Sequence, residues 1–79
     1  MDITIYDLIP SDFHKLVPTN KEYDGRIIRR PGTFNDTIDV ILNVKNFSVS
    51  ENYFNVTFQD GTVVIAEVPI DHYHKIEVL

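Results

Sequence analysis

The stretch Tyr53–Val68, with the sequence YFNVTFQDGTVVIAEV, decides the fold. Two runs rich in β-branched and aromatic residues flank Asp60-Gly61. Asp-Gly in this setting predicts a hairpin with a type I′ turn, because that turn needs positive φ at both central residues. In a two-residue turn Gln59 faces Thr62, and alternate residues share a face. The predicted core face is Phe54, Val56, Phe58, Val63 and Ile65. The opposite, mixed face then carries Val64, Ala66 and Val68.

Size and composition indicate a single small globular domain. The chain has 79 residues, is 43% hydrophobic and contains nine aromatic residues, which argues against disorder. It has no cysteine, which excludes disulfides, cysteine nucleophiles and thiolate zinc sites. No apolar run is long enough to span a membrane, and the opening MDITIYDL carries acidic residues where a signal peptide carries basic ones. We therefore expect a cytoplasmic protein.

The charge balance is acidic and uneven. The net charge is −5; residues 1–30 hold five basic and five acidic side chains, so residues 31–79 carry all of it. This balance opposes general binding to nucleic acid or to an anionic membrane surface. An acidic surface fits a basic protein partner, but it is also a common means of keeping a protein soluble.

The first half of the chain alternates between strand and loop signals. Residues 3–6 predict a short strand, and residues 10–17 predict a helix with Ser11 as its N-cap and Phe13, Leu16 and Val17 on one side. Residues 26–30 predict another strand, which the turn signal Pro31-Gly32 ends.

The second half predicts a meander. Apolar residues alternate over 38–45, and the alternation shifts after Asn46, which indicates a bulge or a tight bend. The hairpin strands follow, then a helical turn over 70–73 and a last strand over 74–79. Five or six short strands with brief connections predict a mostly β protein, specifically a small closed or nearly closed barrel.

Two fragments resemble the Src-homology-3 barrel. Ile5-Tyr6-Asp7-Leu8 is similar to that family's opening alanine-leucine-tyrosine-aspartate motif. Val68–Tyr73, followed by Lys75-Ile76, is similar to the turn before its last strand. The resemblance implies a Src-homology-3-like barrel in which Tyr6 and Tyr73 occupy positions of the binding groove. The chain contains no tryptophan, so the resemblance does not extend to recognition of proline-rich peptides.

Candidate catalytic and metal-binding residues are few. Ser11, Asp12 and His14 are the residue types of a hydrolytic triad, but capping of a helix explains Ser11 more simply. His72 and His74 form a His-x-His pair, which can share a metal within a strand. Across a turn the two rings diverge, and we interpret them as surface histidines. The sequence therefore predicts no enzyme, no metal site and no cofactor.

Arginines and loop aromatics give the strongest indication of a binding surface. Arg26, Arg29 and Arg30 lie close together in the sequence, and Tyr23 and Phe34 lie in the flanking loops. Arginine binds phosphate or carboxylate groups through two parallel hydrogen bonds. Charges on an edge strand also prevent aggregation, so the same residues have a purely protective interpretation.

These observations favour a non-catalytic protein–protein interaction module that contacts its partner through residues 19–36. Its size and composition suit a bacterial or phage accessory protein or inhibitor, and an apolar edge would permit a homodimer. The alternative is a binder of a small anionic ligand such as a nucleotide, with Arg26, Arg29 and Arg30 on the phosphate.

Overall fold

A computed structural model describes residues 1–29 and 36–79, and these residues form a mostly β structure with one α-helix. In chain order the elements are β1 (Asp2–Leu8), α1 (Pro10–Leu16), β2 (Asp24–Arg29), β3 (Ile38–Asn43), β4 (Asn46–Ser50), β5 (Tyr53–Thr57), β6 (Val63–Glu67), a 3-10 turn (Ile70–His72) and β7 (Lys75–Val78). The predicted mostly β class, the helix and the helical turn are confirmed. The predicted turn at Pro31-Gly32 lies outside the described residues.

The strands form two open antiparallel sheets. One has the order β2-β3-β1-β7 and the other the order β4-β5-β6. The predicted closed barrel, and with it the Src-homology-3 resemblance, is therefore wrong. Closure would require strand pairing between the edges of the two sheets, and the described residues show none. At the edge formed by β6, helix α1 lies against the strand.

The chain passes from one sheet to the other between Val44 and Lys45. Val44 exchanges two hydrogen bonds with Met1, at 2.8 Å to the carbonyl of Met1 and 2.6 Å from its amino group. The next residue, Lys45, donates its N–H to the carbonyl of Thr57 on β5, at 2.8 Å. The bend predicted near Asn46 is confirmed, and it explains why the apolar alternation shifts there.

The hairpin joining β5 and β6 has a three-residue loop. Phe58 N–H donates to the carbonyl of Thr62 at 2.8 Å, and Gly61 N–H donates to the carbonyl of Phe58 at 2.9 Å. Gly61 has φ 89°, as expected for the glycine that ends a three-residue hairpin loop. The predicted two-residue type I′ turn is wrong by one residue, so Val56 pairs with Val64.

This register reverses the predicted faces of β6. Because side chains alternate along a strand, a shift of one residue moves each of them to the other face. Val64 faces the core, and Ala66 and Val68 are buried in it, whereas Val63 and Ile65, predicted as core, are exposed. The predictions for β5 are confirmed, since Phe54, Val56 and Phe58 are buried. The core between the two sheets also takes side chains from three other elements: Ile3, Ile5, Leu8, Phe13, Leu16, Val17, Ile38, Val40, Leu42 and Val44.

Helix α1 closes one end of the core with the predicted apolar face of Phe13, Leu16 and Val17, all buried. Its predicted capping by Ser11 is wrong. The helix begins at Pro10 and Ile9 occupies the N-cap position, so Ser11 lies within the first turn and is exposed. Proline is favoured at the first helical position because its fixed φ suits the helix and no N–H is needed there.

Candidate interaction surface

An apolar pair occupies the solvent-facing side of β6. Val63 is 59% exposed and Ile65 is 64% exposed. Their cross-strand neighbours on β5 are Thr57 and Asn55, and Tyr53, also exposed, follows on the same face of β5. The outer face of this sheet therefore presents two branched aliphatic side chains on β6. Beside them, the middle strand β5 presents Tyr53 and the polar residues Asn55 and Thr57.

Sequence patterning alone did not identify this pair. Positions 63–66 and 68 are all apolar, so either alternate set of β6 residues can fill the core. The length of the loop makes the choice, because it sets the register of the hairpin. Asp60-Gly61 correctly predicts a turn, but Asp-Gly occurs both in two-residue hairpin loops and in longer ones.

A cleft of about 400 Å³ adjoins the tip of the same hairpin. The loop before β2 forms one wall and the β5–β6 loop forms the other. Its lining residues are Lys21, Glu22, Tyr23, Asp24, Asn43, Phe58, Gln59 and Asp60. The cleft is open and its surface is polar and apolar in similar measure, with Tyr23 and Phe58 as its aromatic side chains.

Lys21 holds the two walls together. Its Nζ lies 2.9 Å from Asp60 Oδ2, donates to the carbonyl of Glu22 at 2.8 Å and sits 4.8 Å from the centre of the Phe58 ring. The Lys21 ammonium group, helped by the Thr62 N–H, holds the pKa of the Asp60 carboxyl well below its usual range. The loop before β2 is thereby fixed beside the hairpin tip.

A chain of amide side chains extends the polar surface across the first sheet. Gln59 Nε2 donates to Asn43 Oδ1 at 2.8 Å, and Asn43 Nδ2 donates to Asp2 Oδ1 at 2.6 Å. Asn43 and Asp24 also line a second, smaller cleft of about 240 Å³, which Arg26 borders. Opposite charges therefore alternate on this surface, with Asp2 and Asp24 beside Arg26.

The arginines predicted to bind a partner lie in or beyond β2. Arg26 is exposed and pairs across the sheet with Ile41. The backbone of Arg29 pairs with Ile38 at the end of the strand. Arg30 and Phe34 lie outside the described residues, so the structure does not describe the predicted arginine cluster as a whole.

The predicted aromatic contacts are separated from one another. Tyr23 is partly buried and packs edge to face on Phe13, with ring centres 5.6 Å apart. Tyr73 packs in the same manner on Phe54 at 5.2 Å. Tyr6 lies beneath Lys75, whose Nζ is 4.9 Å from the ring centre. Tyr23 alone of these three lines the larger cleft.

The histidine pair does not gather further ligands. His72 Nδ1 lies 2.8 Å from Oδ2 of the buried Asp12, whereas His74 is exposed. The contact with His72 joins α1 to the 3-10 turn. Asp12 Oδ1 also contacts Lys15 Nζ, within α1, at 2.9 Å. Within residues 1–29 and 36–79, no three His, Cys, Asp or Glu side chains come together as metal ligands. In the same residues, no helix is long and apolar enough to cross a membrane.

In comparisons with protein-family models, curated proteins and solved structures, no match to this chain was found. The geometry of its own residues is therefore the basis for assigning a function.

Proposed function

We propose that this protein is a non-catalytic protein–protein interaction module whose partner docks on the outer face of the β5–β6 hairpin. The observation that carries the proposal is the exposure of Val63 and Ile65 on one face of one strand. A further partner contact is Tyr53, because tyrosine is enriched among the residues that dominate binding energy.

Covering this face would contribute to the affinity of a partner. Complete burial of a valine or isoleucine side chain is worth about 1.5–3 kcal/mol, and each of these two side chains is more than half exposed in the free protein. Both project from a sheet whose opposite face packs in the core. A partner therefore meets side chains on a rigid support, which lowers the entropic cost of binding.

The surface continues into the segment predicted from sequence. The bond between Lys21 and Asp60 joins the loop before β2 to the hairpin tip, and Tyr23 in that loop is a further proposed contact. Arg26, Arg29, Arg30 and Phe34 remain proposed contacts on the sequence argument, and Arg30 and Phe34 lie outside the described residues. Capture of a small anion by the arginines is the weaker proposal, because the carboxylates of Asp2 and Asp24 border the cleft at Arg26.

The test uses Val63→Thr/Ile65→Thr, which removes the apolar surface while keeping β-branched residues. The natural partner is first identified by native mass spectrometry of complexes purified gently from the host. Its affinity is then measured with purified components. The matched control is Val78→Thr, which changes an exposed valine on β7 in the other sheet.

We expect the double variant to weaken binding at least tenfold and Val78→Thr to leave it unchanged, with similar thermal midpoints for all three proteins. Equal affinity of the double variant and the unaltered protein would contradict the proposed surface.

A further inference from the structure

Within residues 1–29 and 36–79, strand β4 is an edge strand without the usual protection. Edge strands normally carry charge or proline, or a helix or loop covers them. Strand β2 carries Asp24, Arg26 and Arg29, β7 carries Lys75 and Glu77, and α1 lies against β6. The sequence of β4, NFSVS, has neither charge nor proline. Among the residues that the structure describes, β5 is the single strand paired with it.

The hydrogen-bonding groups on the open side of β4 belong to Phe47 and Val49. Phe47 N–H turns away from β5 and donates to the side-chain Oδ1 of Asn46 at 3.0 Å. Because the direction of the N–H and C=O groups alternates along an antiparallel strand, those of Val49 point to the same side. Val49 is also 41% exposed on the face where Phe47 packs against the core.

We propose that two copies of the protein pair through β4 in an antiparallel arrangement centred on Ser48. A two-fold axis at Ser48 sets Phe47 opposite the second copy's Val49 and forms four backbone hydrogen bonds, two of them after the Phe47 N–H of each copy releases Asn46 Oδ1. The two three-stranded sheets then join into one sheet of six strands. This inference goes beyond the docking of another protein on β6 and does not depend on it.

The side chains of β4 are self-complementary in this register. Phe47 and Val49 cover each other between copies, and polar residues face polar residues, since Asn46 lies opposite Ser50. The residues that flank β4 carry opposite charges, and this register brings Lys45, in the bend before the strand, close to the second copy's Glu51, in the turn after it; the reverse pair forms across the axis. Both side chains are exposed in the free protein and available for the contact.

The neighbouring registers lack this match. The hydrogen-bonding direction allows shifts of the axis by whole residues, and the two nearest place it at Phe47 or at Val49. An axis at Phe47 sets Lys45 opposite Val49, and an axis at Val49 sets Glu51 opposite Phe47. Each of these arrangements places a charge against an apolar side chain and leaves the opposite charges unpaired.

The decisive test reverses the flanking charges one at a time. Lys45→Glu and Glu51→Lys are each measured by sedimentation velocity over a wide concentration range at physiological salt. Each variant alone faces two like-charge pairs, so we expect its dimer to dissociate about tenfold more readily than that of the unaltered protein. In an equal mixture, the two acidic groups of the Lys45→Glu copy face the two ammonium groups of the Glu51→Lys copy. We therefore expect a heterodimer as stable as the dimer of the unaltered protein.

Ser48→Glu provides a second test, because it places two carboxylates face to face on the axis. Its matched control is Ser11→Glu, the same change at an exposed position in α1. We expect Ser48→Glu to be monomeric and Ser11→Glu to dimerise normally, with unchanged circular dichroism spectra. A monomeric unaltered protein at every concentration would overturn the proposal, and so would a mixture of the charge variants that fails to recover.

Discussion

The two outer strands of the three-stranded sheet, β4 and β6, differ in what they leave exposed. Helix α1 flanks β6, and Lys15 Nζ donates to the carbonyl of Glu67 at 3.4 Å, so one end of this strand lies beside the helix while its outer face carries Val63 and Ile65. Strand β4 has a polar outer face of Asn46, Ser48 and Ser50 and a free side without charge.

The difference teaches that one small sheet can present two kinds of binding surface. An exposed face offers side chains, and a partner gains affinity by burying apolar area there. An exposed edge offers backbone hydrogen bonds, and a partner gains affinity by adding a strand. The proposed contact on β6 uses the first mode and the proposed pairing through β4 uses the second.

The largest predicted effect is at the central strand, β5, which supports both outer strands. Phe54 is fully buried and packs edge to face on Phe47 at 5.5 Å and on Tyr73. Phe54→Ala should lower the free energy of unfolding by about 3–5 kcal/mol in chemical denaturation. The comparison is Ile65→Ala on the exposed face, which should change it by less than about 0.5 kcal/mol. A large loss at Ile65 would contradict its outward orientation.

The second effect concerns helix α1, which lies beside β6. Asp12→Ala removes the buried carboxylate that binds Lys15 and His72, and it should cost about 1–2 kcal/mol, because both partners reach solvent once the carboxylate is gone. Hydrogen exchange of the Ile9 amide, which donates to the carbonyl of His72, should accelerate. Amides between β4 and β5 should keep their exchange rates.

The matched control for Asp12→Ala is Asp71→Ala, which removes an exposed carboxylate from the 3-10 turn. It should leave both the stability and the Ile9 exchange rate unchanged. Equal losses for the two variants would show that the buried pair has no special part in holding α1 against the 3-10 turn.

The third effect contrasts the turns at the ends of β5. Gly61 has φ 89°, and a Cβ atom there would meet no atom within 4 Å. Gly61→Ala should therefore cost about 1 kcal/mol through backbone strain alone. Glu51 has φ 55° in the turn between β4 and β5, so Glu51→Gly should leave stability equal or raise it when measured on dilute protein. A loss of stability in Glu51→Gly as large as that in Gly61→Ala would contradict the difference between the two positions.

The smallest effect is at the cleft beside the hairpin tip. The pKa of Asp60 is lowered in the folded protein, chiefly by Lys21. The stabilisation from this pair is therefore complete above the unfolded pKa of about 3.9 and is lost as the pH falls through the folded value. Carboxyl titration by NMR should show the pKa of Asp60 rising toward 3.9 in Lys21→Gln. An unchanged pKa would remove Lys21 as its cause.

Periodicity and turn residues predicted most of the elements but not how they assemble. The alternation over 38–45 and the helix face of Phe13, Leu16 and Val17 are local signals, and the structure confirms them. Closure of a barrel is a long-range property that strand patterns do not encode. The placement of α1 against β6 depends on contacts between residues far apart in the sequence.

The candidate surface was predicted only in part. Tyr23 lines the cleft, but Val63 and Ile65 were assigned to the core, because a loop one residue longer than predicted reverses every side chain of β6. Asp12 lies in the first turn of α1, where an acidic residue suits the positive end of the helix dipole. Its partner His72 is 60 residues away, so no local pattern connects the two.

The register of β6 is the central claim, because the exposed apolar face depends on it. The chain contains no cysteine, so Ile65→Cys and Ala66→Cys each introduce a single thiol whose labelling rate reports its exposure in the folded protein. We predict that the thiol at position 65 reacts nearly as fast as in denatured protein, while the thiol at position 66 is strongly protected until the protein unfolds. Protection at position 65 with rapid labelling at position 66 would contradict the three-residue turn and the surface derived from it.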